Sequence, residues 1–149
     1  MALQQEIEAV MTKYGFDFDL REPQKEAIAS ILGEKNTFVS LPTGFGKSMC
    51  YILPPLIKTA RKQLQSTAIV VTPMKTIMQD QKEKLKEKKI KVAVLLNREE
   101  MEAEDETAVK SGEVDIIFTT PEAANAWLRT LSGDLLQVLL LLLLLLQTS

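Results

Sequence analysis

The stretch that decides the fold is Leu41-Pro42-Thr43-Gly44-Phe45-Gly46-Lys47-Ser48. An apolar run with strand character, residues 37–41, leads into it, and a helical pattern over residues 47–64 leads out. Gly44 and Gly46 let the backbone turn through conformations closed to other residues and approach a bound group closely. Successive N–H groups then point inward, and the start of the helix adds about half a positive charge, so the corner suits a phosphate. Lys47 is placed to reach the outer phosphates of a nucleoside triphosphate, and the Ser48 hydroxyl to help hold Mg²⁺. The strict phosphate-loop pattern has glycine at its first position, where this chain has Leu41. The plain alternative is a tight glycine turn followed by a surface lysine. A strand before and a helix after weigh against it.

Outward from this corner the chain alternates strand and helix. Upstream, Leu3, Ile7, Val10, Met11 and Tyr14 fall at helical spacing, with Gly15 as a stop. Pro23 is placed to open a second helix whose apolar face is Ala27, Ile28, Ile31 and Leu32, with Gly33 as its C-terminal stop. Downstream, residues 67–72, 92–96 and 114–119 are near-continuously apolar, as strands covered on both faces require. Helical patterns lie between them at 74–89 and 98–110, and after them at 122–131. Pro54 and Pro55 are expected to kink or shorten the helix that follows the phosphate loop. The alternation predicts an α/β fold: a parallel sheet with right-handed crossovers and helices on both faces.

Composition narrows the chemistry. The chain has 149 residues, the size of one domain, and a net charge of −2. It contains no histidine, which excludes a His general base or a His-ligated zinc. A single cysteine, Cys50, excludes an internal disulfide. The cysteine reads as a small packed residue. The N-terminus carries acids early and no long apolar run, so no signal peptide is expected. Residues 82–91 hold six lysines and two glutamates, read as the solvated side of one helix with weak pairs to Glu83 and Glu87. The acidic cluster at 99–106 is read as a solvated helix or loop.

The Pro42-Thr43-Gly44-x-Gly46-Lys47-Ser48 variant resembles motif I of superfamily 2 helicases. Three further pieces fit that family in order. Leu20-Arg21-Glu22-Pro23-Gln24 resembles the motif preceding the phosphate loop in RecQ-type DNA helicases. The segment from Val70-Val71-Thr72-Pro73-Met74 to Met78-Gln79-Asp80-Gln81 is similar to motif Ia. Thr119-Thr120-Pro121-Glu122 is similar to a later motif that contacts single-stranded DNA. The resemblance covers residues 14–127. It implies a RecA-like phosphate-loop lobe with ATP and Mg²⁺ as cofactors. Thr43, Gly44, Phe45, Gly46, Lys47 and Ser48 would hold the phosphates. Gln24 would read the adenine edge, with Arg21 and Phe16 framing the base. An amide offers adenine one donor and one acceptor. Thr72, Pro73, Gln79, Gln81, Thr119 and Thr120 would contact single-stranded DNA, and Ser48 would bind the metal. Contacts of that kind fix position without reading sequence. Each has a bland counterpart: a helix's first turn for Gln24, a strand end and proline-opened helix for the Thr-Pro pairs.

The family also implies an Asp-Glu-x-His box at the end of a buried strand after the 122–131 helix. Asp105-Glu106-Thr107-Ala108 is no such box, because it lies in an acidic stretch before Thr119-Thr120, and Asp115 begins a strand instead of ending one. In its place stands Val138 followed by Leu139 through Leu146, a run of nine apolar residues against the about 20 of a membrane span. No membrane segment is expected. The expected organisation is an N-terminal helix over 1–13, a partial helicase ATP-binding domain over 14–134 with an incomplete parallel sheet, and a low-complexity poly-Leu tail over 135–149. The expected function is ATP binding within a 3′–5′ type DNA helicase whose box and second lobe lie outside this sequence, so that the chain alone hydrolyses little ATP. An RNA-acting relative and a catalytically dead binding module are the alternatives. The resemblance implies a nuclear location in a eukaryote and a cytoplasmic one otherwise, without secretion.

Overall fold

A computed structural model describes residues 2–33, 48–62, 66–72, 75–97, 99–130 and 138–139. They fall into two compact units, divided between residues 64 and 65.

The first unit is helical. α1 (Leu3–Tyr14) buries Ile7, Val10 and Met11, the i, i+3, i+4 stripe that its spacing predicts. Gly15 ends it with φ 76°, a left-handed conformation that glycine adopts without a Cβ clash. α2 (Glu22–Leu32) has Pro23 in its first turn, where no helical N–H is missed. It buries Ala27, Ile28 and Ile31. Gly33 does end it, but at φ −78°, with its N–H bonded to the Ala29 carbonyl.

α3 (Met49–Lys62) packs against both α1 and α2. Of the kink or shortening expected from its prolines, the shortening does not occur at them: the helix passes through Pro54 and Pro55 and runs on to Lys62. Each proline removes the helical donor for a carbonyl one turn back, at about 3 kcal/mol apiece. Tyr51, Ile52, Leu53, Leu56 and Ile57 are all buried around them, each contributing about 1.5–3 kcal/mol, which outweighs that loss. Cys50 is wholly buried in the same helix, and burial pushes its thiol up to about 11, so it is packing and not a reactive group.

The second unit is a parallel sheet with helices. In chain order it comprises β1 (Thr67–Val71), α4 (Lys75–Glu87), β2 (Val92–Leu95), α5 (Ala103–Ser111), β3 (Ile116–Thr119), α6 (Pro121–Thr130) and β4 (Val138–Leu139). The strand order is β2-β3-β1-β4, all parallel. Val92, Ile116 and Ala68 stand in one row, and Val94, Phe118 and Val70 in another, every one of them buried. The alternate residues Ile69, Ala93, Leu95 and Ile117 form a core with Val109 of α5 and Ala123 of α6. Apolar side chains on both faces are what continuous Val/Ile runs predict.

The chain crosses from β1 to the sheet's far strand and then turns back. Right-handed crossovers therefore set α4 on one face and α5 and α6 on the other. The core cluster agrees, since it takes residues from α5 and α6 and none from α4.

Two differences from the sequence reading stand out. Val138–Leu139, read as part of a tail, pairs in parallel with Thr67–Ala68 as a fourth strand. An apolar dipeptide there engages the backbone groups on the open side of β1. Second, the lysine-rich helix does not turn all its lysines to solvent. Lys82 shares the buried stripe of α4 with Met78 and Leu85, and meets Asp105 of α5, itself only 2% exposed.

Candidate functional site

The glycine loop residues Thr43, Gly44, Phe45, Gly46 and Lys47 lie outside the described residues, as do the strand expected at 37–41 and Pro73. Ser48 is described and half-buried. Its carbonyl accepts the N–H groups of Tyr51 at 3.1 Å and Ile52 at 3.0 Å, so it stands at the mouth of α3, whose first helical residue is Met49. The first N–H groups of a helix have no partner within the helix, and there they suit an anion.

Gln24 sits in the first turn of α2, yet it is only 4% exposed. Its Oε1 accepts the Arg21 backbone N–H at 2.7 Å, the backward half of a capping box. Arg21 is the exposed N-cap residue, and its carbonyl accepts the N–H groups of Gln24 and Lys25. Gln24, expected to read the adenine edge, and Arg21, expected to frame the base, are thus tied together through the Arg21 backbone. Phe16 lies a few residues before them, with its ring edge-on to Phe18 at a centroid distance of 6.2 Å. Phe18 is 50% exposed, a large apolar side chain left in water.

In the sheet unit, the two Thr motifs come together. Thr72 follows β1 and its N–H donates to the Thr119 carbonyl at 2.9 Å. Both threonines are fully buried. Thr119 Oγ1 donates to the Leu95 carbonyl at 2.9 Å, which joins the ends of β2 and β3. Thr120 caps α6: its Oγ1 accepts the Ala123 N–H at 3.1 Å. These threonines line up at the carboxyl ends of the parallel strands, the end where open α/β sheets bind ligands. Gln79 is exposed and Gln81 half-buried, both on α4. Two residues apart on a helix, they do not face the same way.

Sequence reasoning missed the Lys82–Asp105 pair. A signal was present, since Lys82 lies four residues after Met78 and three before Leu85. That is the apolar stripe, where a lysine requires a partner. Asp115, read as beginning a strand, lies just before β3, which starts at Ile116; it is buried, and its Oδ2 accepts the Lys91 N–H at 3.0 Å. Among the described residues no helix is long and apolar enough to cross a membrane, and no acidic or Cys cluster is arranged to hold a metal.

Comparison with known proteins agrees with this geometry. The DEAD/DEAH box helicase family matches residues 21–143. The ATP-dependent helicase SGS1 of Saccharomyces cerevisiae is 37% identical over 108 residues, 71% of this chain and 7% of that protein. The RecQ-like DNA helicase blm-1 of Caenorhabditis elegans is 33% identical over 123 residues, 80% of this chain and 12% of its own length. The chain thus spans only a small part of the relatives it matches. Among solved structures, the DUF1998 helicase MrfA bound to DNA superposes with a TM-score of 0.68 at 24% identity, over 93% of this chain and 20% of MrfA. That likeness speaks to the fold, a helicase RecA-like lobe. With the family matched over most of its length and RecQ-type helicases among its relatives, this chain belongs to the DEAD/DEAH box helicase family.

Proposed function

We propose that the chain is the ATP-binding part of a RecQ-like, 3′–5′ DNA helicase, with residues 14–134 as the partial lobe. The observation that carries this reading is the start of α3 directly behind Gly44-Phe45-Gly46-Lys47-Ser48. Thr43 through Ser48 wrap the triphosphate, Lys47 neutralises its outer charge, and Gln24 with Arg21 selects adenine. Ser48 fits Mg²⁺, being a half-buried hydroxyl, a hard oxygen donor, at the mouth of the helix. When bound, the metal neutralises charge on the β- and γ-phosphate oxygens. The strand-end segments Thr72–Pro73 and Thr119–Thr120, with Gln79 and Gln81 on α4, face the phosphates of single-stranded DNA, and the buried Thr72 and Thr119 hold those segments in place. In a eukaryotic cell that work is nuclear.

Hydrolysis is a separate matter. The only side-chain carboxylate after α6 is Asp134, which precedes β4 in sequence instead of closing it. With no acid to orient metal or water from that strand, these 149 residues bind nucleotide and turn it over negligibly.

Thermal unfolding with and without ATP-Mg²⁺ tests the site. At ATP about tenfold above Kd, native-state binding stabilises by about 1.4 kcal/mol. Lys47→Ala should abolish the shift. No shift at millimolar ATP, or a shift that Lys47→Ala leaves intact, defeats the reading. Equal protection by GTP defeats the adenine role of Gln24 alone.

A further inference from the structure

The second unit carries a cleft of about 270 Å³ at the amino ends of β2 and β3, the end of the sheet opposite Thr72 and Thr119. Its floor is apolar: Ile90, Val92 and Val114, all buried, with the half-buried Ala108 of α5. Its rim is charged, with Lys86, Lys89 and Lys91 against Glu104 and Glu113. Lys86 and Glu104 pair at 3.0 Å, and Lys89 and Lys91 stand with Glu113 on the rest of the rim.

Two features show the rim to be organised. Lys91 is pinned by its backbone: its N–H donates to Asp115 Oδ2, and its carbonyl accepts the N–H groups of Asp115 and Ile116. Lys89 sits past the end of α4 at φ 64°, the only described non-glycine residue with positive φ. Glycine takes that conformation freely and an L side chain does so at a cost, so the sequence keeps an ammonium where the backbone favours none. Lys84 and Lys86 already complement the C-terminal dipole of α4, so the helix does not need Lys89 for that purpose.

We propose that this cleft binds a small organic anion, one acidic group on a compact apolar body. The body lies on the Ile90–Val92–Val114 floor and the acid reaches Lys89 and Lys91. The volume suits a ligand of aromatic-ring size, near the lower limit of known small-molecule sites. This inference stands apart from the nucleotide reading and can fail without it.

The test is an amide NMR titration of the whole chain with phenyl phosphate, with inorganic phosphate and phenol as controls. Saturable millimolar binding is expected, with shifts centred on residues 89–92, 108 and 113–114 and weakening as salt rises. Each control, lacking one half of the ligand, should bind several-fold more weakly. Lys89→Gly should lower the affinity several-fold while the unfolding midpoint stays level or rises, because the backbone is relieved; Lys89→Glu should abolish binding. Absence of shifts in this region overturns the proposal. So does phenol or phosphate binding as tightly as phenyl phosphate, or Lys89→Gly binding unchanged.

Discussion

Lys82 on α4 holds its ammonium 3.0 Å from the Asp105 carboxylate on α5, with both side chains almost wholly out of water. The two helices lie on opposite faces of the sheet, yet both pack on β2, the strand at one end of the strand order. Their contact therefore closes around the edge of that strand. Glu102 joins Lys82 at 3.3 Å, and the exposed pairs Lys75–Glu100 and Lys86–Glu104 flank it. A charged clasp of this kind keeps an edge strand from pairing with another chain.

Breaking one half of the buried pair strands the other charge. Lys82→Met should destabilise the sheet unit by about 3 kcal/mol, and Asp105→Leu by a similar amount. The double variant should recover most of that loss, since two apolar side chains leave no buried charge. Urea unfolding of the three variants measures this, and additive losses would show that the two charges are not coupled.

The same pair sets an alkaline limit. Burial pulls the Lys82 ammonium down, but its hydrogen bond and attraction to Asp105, with help from Glu102, leave it above its ordinary 10.5. A raised folded value means that the stabilisation is complete below that ordinary value and is lost as pH climbs through the folded one. Stability should fall above about pH 10.5, and Lys82→Met should flatten that limb of the curve.

In the helical unit the sign reverses. Arg61 of α3 donates to both carboxylate oxygens of Glu6 on α1, and this hydrogen bonding holds Glu6 below the usual 4.5. The contribution is present above pH 4.5 and disappears as pH falls through the lowered value. Arg61 is well exposed, so the pair is worth at most about 1 kcal/mol and weakens with salt. Hydrogen exchange of the α1 amides should speed up below that pH, and Glu6→Gln should remove the step.

Cys50 reports on opening of the same unit. Fully buried, with its thiol pushed to about 11, it should resist iodoacetamide at pH 8 in the native chain. It should react at once in denaturant. Rapid native-state labelling would contradict the packing of α3.

Gln24 allows its two roles to be separated. Gln24→Ala removes the bond to the Arg21 N–H and should cost about 1 kcal/mol in the absence of nucleotide. Gln24→Glu keeps an acceptor at that position but loses the amide donor. It should hold most of the stability while losing preference for ATP over GTP. If both variants bind ATP as the parent does, the residue is a cap and nothing more.

The sequence alone determined the local grammar of this protein. Val/Ile runs at 67–71, 92–95 and 116–119 became strands buried on both faces, because no other regular structure buries so short an apolar run. Gly15 ended α1 because only glycine turns left-handed freely, and the helix expected from residue 47 formed as α3, beginning at Met49. Tertiary structure decided what spacing cannot encode. Pro54 and Pro55 stayed within a helix because burial around them exceeds the hydrogen bonds they forfeit. Val138–Leu139 became a strand because β1 offered open backbone groups, a fact about β1 that a leucine run does not contain. Lys82 went inside because Asp105, far along the chain and on the other face of the sheet, was there to meet it. A charge is buried only where a partner arrives, and the arrival of partners is a property of the fold.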